Sequence, residues 1–124
     1  GSVRYVVGNI LDLAAGALCP DLHTPIDTIV LSNVLEHLPD RPQILRSLVA
    51  RLGATRLLLR VPAFERDWRV PYKRELGVEW RLDPTHEIEH TRAELGQEMT
   101  EAGLRLDSLH QQWGELFAVA RPAR

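Results

Sequence analysis

The segment from Ile26 to Val61 constrains the fold most. Ile26 to Leu31 (IDTIVL) is a run of β-branched and aliphatic residues, which suits a strand buried on both faces. The chain turns polar at Ser32-Asn33, and a helix start follows. Asp40 occupies the capping position, and Pro42 lies in the first turn, where a missing N–H costs little. Ile44, Leu45, Leu48, Val49 and Leu52 recur at helical spacing, with Arg41, Arg46 and Arg51 mostly off that stripe. Gly53 is the natural stop. Arg56 to Val61 is a second buried strand, ended by Pro62. A strand, a helix and a strand joined by short loops form a right-handed unit and predict a parallel pair. Open α/β sheets bind ligands beyond the carboxyl ends of such strands, which makes Ser32 and Asn33 candidate site residues.

The flanking segments are less regular. Val3 to Val7 is β-rich and stopped by Gly8-Asn9, which predicts a short strand. Ile10 to Leu18 is apolar and Ala-rich, enough for a helical turn or two. Cys19 to Pro25 is a loop, broken by two prolines. Ala63 to Pro84 shows no regular period. It carries Trp68, Tyr72 and Trp80 among Arg66, Asp67, Arg69, Lys73 and Arg74. Such an excursion after a strand end suits a substrate lid whose aromatics and cations clamp an anionic or aromatic substrate. A flap filling the core edge fits equally well. Thr91 and Glu94 have capping-box spacing, Leu95, Met99 and Ala102 mark one helix face, and Gly103 ends it. Leu104 to His110 and Glu115 to Ala120 predict an antiparallel pair around Gln111–Gly114. The expected architecture is α/β, mostly parallel, with a C-terminal antiparallel hairpin.

Composition bounds the function. A chain of 124 residues predicts one domain, over residues 3–124 once Gly1-Ser2 is set aside as a tag scar. A net charge of −2 gives no electrostatic case for nucleic acid or an anionic membrane as main partner. No apolar run approaches the ~18 residues that span a bilayer. The single cysteine, Cys19, excludes an intrachain disulfide and agrees with a cytoplasmic location. With no evident His partner, Cys19 is read as a small apolar residue.

Two clusters of polar residues carry chemistry. His86-Glu87-Ile88-Glu89-His90 spells HExxH, a zinc-hydrolase pattern that needs a helix so that both imidazoles share one face. Here the helix start lies after it, at Thr91, and Pro84 lies just before it. In an extended chain the two histidines would stand roughly 13 Å apart, too far for one ion. Zinc hydrolysis is therefore a minor alternative, and no metal ligand is assigned. The second cluster is Ser32, Asn33, Glu36 and His37, at the end of the first buried strand.

The block IDTIVLSNVLEHLPD, Ile26 to Asp40, resembles the fourth-strand motif of class I S-adenosylmethionine-dependent methyltransferases. The resemblance extends over Val6–Ile10, Leu57–Pro62, and Asp83-Pro84-Thr85-His86 through Glu101-Ala102-Gly103-Leu104. It implies a Rossmann-like fold and S-adenosylmethionine as cofactor, with Asn9 on the adenine amino group and Ile10 packed on the ring. Ser32, Asn33 and Val34 would line the methionine side of the donor. His86 and His37 are the candidate bases for a hydroxyl or amine acceptor, and a small molecule is the expected acceptor. The family's first two strands, its glycine-rich loop and its ribose-binding acid have no match in these residues. The expectation is therefore an incomplete methyltransferase domain, inactive alone, with exposed strand edges that favour a homodimer. A non-catalytic α/β interaction module is the other alternative.

Overall fold

A computed structural model describes residues 2–17 and 22–123. Cys19 and the end of the predicted Ile10–Leu18 segment lie outside the described residues. The elements are α1 (Ile10–Ala14), β1 (Thr28–Ser32), α2 (Arg41–Leu52), β2 (Arg56–Pro62), α3 (Arg69–Glu75), α4 (Arg92–Glu101), β3 (Leu104–Gln112) and β4 (Glu115–Pro122), with tight single turns at Leu35–His37 and Phe64–Arg66. The sheet order is β1-β2-β4-β3. β1 and β2 are parallel, in register from Thr28↔Arg56 to Ser32↔Arg60, as the strand–helix–strand reading requires. β4 runs antiparallel to both β2 and β3. Among the described residues the sheet therefore has more antiparallel than parallel pairing, because β4 inserts between β2 and its hairpin partner.

Alternation along the strands divides the sheet. Leu31, Leu57, Leu59, Val61, Leu116, Ala118 and Ala120 are buried and form one core with Leu35, Leu38, Leu45, Leu95 and Met99. Each leucine, valine or methionine among them contributes on the order of 1.5–3 kcal/mol when removed from water. The opposite face is open. Val30 is exposed, and Leu58, Phe117 and Val119 line a shallow groove of ≈ 410 Å³. The two-sided burial expected for β1 and β2 is thus corrected to one-sided burial, because no described element crosses that face. β1 is an edge strand among the described residues.

Val3 to Val7 forms no strand in the structure. Val3, Tyr5 and Val7 are exposed, since β-propensity without a neighbouring strand leaves backbone bonds and side chains unpaired. Asp40 adopts a left-handed backbone (φ 43) and makes no side-chain cap. Its carbonyl accepts from Ile44 N–H at 3.1 Å, and Pro42 and Gly53 (φ 66) hold the helix ends as expected. The excursion after β2 also contains a helix, α3. Pro71 is compatible with it because its missing N–H falls among the first four, which have no helical partner. Trp68 and Tyr72 stay exposed, whereas Trp80 packs edge-on against Phe64 at 5.2 Å, with Arg74 over the Phe64 ring. Trp80 and Phe64 therefore behave as the core-edge reading expects.

The Thr91 capping box is present in both directions. Thr91 Oγ1 accepts from Glu94 N–H at 3.1 Å, and Glu94 Oε1 accepts from Thr91 N–H at 2.9 Å. Thr91→Ala is expected to cost about 1 kcal/mol, read as a lower chemical-denaturation midpoint. The β3–β4 turn places both Trp113 (φ 54) and Gly114 (φ 76) at positive φ, the requirement of a two-residue hairpin turn. No helix among the described residues is long and apolar enough to cross a membrane.

Candidate active site

The chain leaves the carboxyl end of β1 through Asn33, whose φ of 55 turns it out of the sheet. Asn tolerates this left-handed conformation better than most residues. Its N–H donates to Arg60 O at 2.9 Å, and its Nδ2 donates to Glu115 Oε1 at 2.8 Å. The other oxygen of Glu115 accepts from Arg60 Nε. Asn33 therefore ties β1 across β2 to β4. Ser32 remains exposed at the strand end, and Val34 packs on the core.

The turn Leu35–His37 then buries Glu36 completely while His37 stays partly exposed. Its position is fixed from two sides. Leu35 and Leu38 sink into the core, and Glu36 O accepts from Glu87 N–H at 2.8 Å. That bond brings the segment after α3 against the turn. His37 and His86, far apart in sequence, meet with ring centroids 4.7 Å apart and planes at 73°.

The hydrogen-bond network assigns the tautomers of both imidazoles. Thr85 Oγ1 donates to Asp83 Oδ1 at 2.7 Å, and its single hydrogen is thereby committed. His37 Nδ1, 3.1 Å from the same hydroxyl, must then be the donor. Asp83 is held below its ordinary value by the backbone N–H of Thr85 and by that hydroxyl, which keeps it an acceptor. His86 Nδ1 lies 2.7 Å from Glu89 Oε2. The Glu89 carboxylate is fully buried and also accepts from Arg66 Nη1 at 2.6 Å and Leu82 N–H at 2.7 Å. His86 Nδ1 is therefore a donor as well. Both rings keep Nε2 as the atom with a free lone pair. Glu36 faces them with neither carboxylate oxygen hydrogen-bonded, although both are buried. Its Oε2 is 4.0 Å from His37 Nε2.

The zinc-hydrolase spelling separates into two networks. Residues 86–90 are not helical, and His90 forms an isolated bridge with Ala63. His86 binds Glu89, while His90 Nε2 contacts Glu98 Oε1 at 3.1 Å. Glu98 also accepts from Arg41 Nε at 2.8 and 2.9 Å. The two histidines thus do not share a helix face, which the hydrolase pattern requires. Glu98 and Arg41 were not singled out by sequence reasoning as site residues, and Glu89, Arg66, Asp83 and Thr85 were named there only in other roles. The density of ionisable groups around residues 83–90 signalled Asp83 and Glu89, and nothing local signalled Arg41 or Glu98.

Asn9 is the cap of α1. Its Oδ1 accepts from Leu11 N–H at 2.9 Å, which leaves that oxygen one lone pair. Val6, Ile10, Leu13 and Leu22 line a cleft of ≈ 240 Å³ beside it. Apolar walls with one amide acceptor fit a flat purine with an exocyclic amino group. The volume is below the roughly 300–1,000 Å³ of pockets that hold whole drug-sized ligands. Ile10 and Val34 reach the same core cluster, but among the described residues Asn9 makes no hydrogen bond to Ser32 or Asn33.

A parallel pair with polar residues at its carboxyl end, backed by helices on one face, defines a Rossmann-like α/β protein. A family model described as a methyltransferase domain matches residues 7–109. The chain belongs to this methyltransferase family, as the Ile26–Asp40 block implies. Solved structures share its fold. An O-methyltransferase from neocarzinostatin biosynthesis, in complex with S-adenosylmethionine and 2-hydroxy-5-methyl naphthoic acid, superposes with a TM-score of 0.62 at 21% identity, over 94% of this chain and 32% of that one. N,N-8-amino-8-demethyl-D-riboflavin dimethyltransferase from Streptomyces davawensis gives 0.59 at 22% identity, over 92% and 32%. A small RNA methyltransferase gives 0.60 at 13% identity, over 79% and 14%. This chain thus spans a third or less of the length of these three proteins. A search of curated proteins finds no match.

Proposed function

We propose that this chain forms the acceptor-side part of an S-adenosylmethionine-dependent methyltransferase domain acting on a small molecule. The carrying observation is the pair His37 and His86, each with Nδ1 committed as donor and Nε2 bare, beside the carboxyl end of β1. S-adenosylmethionine, when bound, supplies an electrophilic methyl group on a sulfonium. Asn9 and Ile10 would hold its adenine, and Ser32, Asn33 and Val34 its methionine side. These chain residues orient the donor, and alignment supplies much of the rate of an in-line displacement. The bound donor would supply its methyl group to a hydroxyl or amine acceptor, with S-adenosylhomocysteine as the leaving group. His37 and His86 handle the proton that the acceptor gives up. A small acceptor is supported by the net charge of −2, which disfavours an RNA backbone.

The reading also proposes one incomplete domain over residues 3–124 that does not turn over alone. Supporting this, the described residues hold no cluster of glycines at a strand-to-helix turn, and the outer edge of β1 is unpaired. An open edge of this kind favours pairing with a strand of a second copy or of a longer polypeptide. The test is calorimetric titration of S-adenosylhomocysteine into the polypeptide as encoded in its gene, including whatever precedes Val3. Binding is expected there, and strong weakening in residues 3–124 alone. Absence of binding by the encoded polypeptide would sink the reading. Methylation of RNA in preference to phenolic or amine compounds would replace the acceptor class.

A further inference from the structure

We propose that Glu36, His37 and His86 form a binding site for one divalent first-row transition-metal ion. One ligand atom from each residue lies within 4.8 Å of the other two. Both imidazoles have their proton on Nδ1, engaged by Thr85 and Glu89, so Nε2 is left for a ligand. The carboxylate of Glu36 is buried with no donor on either oxygen. A buried carboxyl group with no hydrogen-bond partner is costly, and a bound cation would supply the missing partner. Arginines elsewhere in the fold perform that service for Glu89 and Glu98, but none reaches Glu36 among the described residues.

The surroundings are those of a prepared ligand set. A metal-bound histidine commonly donates its other N–H to a carboxylate, which fixes ring orientation and raises basicity. His86 does this with Glu89, and Arg66 holds Glu89 in turn. His37 does the equivalent with the Thr85 hydroxyl, itself held by Asp83. Two imidazoles and one carboxylate suit zinc or its neighbours and leave coordination positions open. Bonds of about 2.0–2.2 Å would draw the donors together by roughly 1 Å, a rotamer adjustment. His37 is exposed enough to give an ion a path in.

The catalytic use of the ion rests on the methyl-transfer reading. With an ion bound, His37 and His86 would serve as ligands in place of bases, and an acceptor hydroxyl at an open position would lose its proton to water instead. The existence of the site does not depend on that use.

Zn²⁺ titrated into the encoded polypeptide should bind at one site per chain, and Co²⁺ should give a visible absorption band. Glu36→Leu and His37→Ala should abolish that band. Glu36→Leu should also raise the melting temperature, so its loss of metal cannot be ascribed to unfolding. Glu89→Gln should weaken binding roughly 10–100-fold by releasing His86. His110→Ala, exposed on β3, should change nothing. Binding that requires millimolar metal, or that survives Glu36→Leu and His37→Ala, overturns the proposal. S-adenosylhomocysteine affinity measured without metal separates the two readings. Donor binding with no metal site refutes only the ion, and a metal site with no donor binding refutes only methyl transfer.

Discussion

Glu89→Ala is expected to destabilise the chain by about 3–5 kcal/mol, the cost of breaking a buried ion pair from one side. The Glu89 carboxylate is wholly buried and accepts three hydrogen bonds, from Arg66 Nη1, Leu82 N–H and His86 Nδ1. Arg66 in turn donates to Ala63 O at 2.9 Å and Trp80 O at 3.1 Å. One carboxylate thus joins the end of β2, the segment after α3 and the turn that carries His86. Its removal leaves a buried guanidinium without a counter-charge and an amide without an acceptor. Both costs exceed what alanine regains in side-chain freedom. Urea unfolding of the variant reads the loss directly. A shift below about 1 kcal/mol would mean that water replaces the carboxylate, as at exposed pairs.

The second large effect is expected at Glu98, with a pH signature. Glu98→Ala should cost about 3 kcal/mol, because it strands Arg41 and leaves the fully buried His90 with neither nitrogen partnered. Burial raises the Glu98 pKa, but hydrogen bonds from His90 and Arg41 outweigh it and hold the carboxyl below its ordinary value. A lowered folded-state pKa contributes stability that is complete above the unfolded value. That stability is lost as pH falls through the folded one. The native chain should therefore lose stability on acidification below about pH 4.5 more steeply than Glu98→Gln. Denaturation midpoints taken from pH 7 down to the acid transition check this. Parallel curves for the two proteins would show that Glu98 is not held ionised by the fold.

The parts of the fold legible in the sequence are those settled over a few residues. The helical stripe Ile44–Leu52, the stop at Gly53 and the capping box Thr91–Glu94 each express a local backbone preference, whereas the hairpin turn was placed only within Gln111–Gly114 and the structure narrows it to Trp113-Gly114. Neighbouring residues suffice to state such a preference. The parallel pairing of β1 and β2 followed because one short helix between two strands leaves a single handed solution. Val3 to Val7 shows where this reasoning ends. A strand exists only with a partner, and β-rich composition cannot supply one. The same holds for burial. Val30 and Leu58 have the composition of core residues, but whether a face is covered depends on elements distant in sequence.

The candidate site divides along the same line. Sequence by itself determined the family block Ile26–Asp40, the polar end of β1 and the presence of His37 and His86 as titratable groups. Only the tertiary structure decided that these two histidines meet, that both keep Nε2 free, and that Glu36 faces them buried and unpaired. It also decided that the HExxH spelling splits, with His86 on Glu89 and His90 on Glu98. The reason is physical. A hydrogen bond or a ligand set depends on distances of about 3 Å between side chains, and chain neighbours do not fix those distances. They are set by the packing of the Leu35–His37 turn against residues 83–90, anchored by the bond from Glu87 N–H to Glu36 O at 2.8 Å.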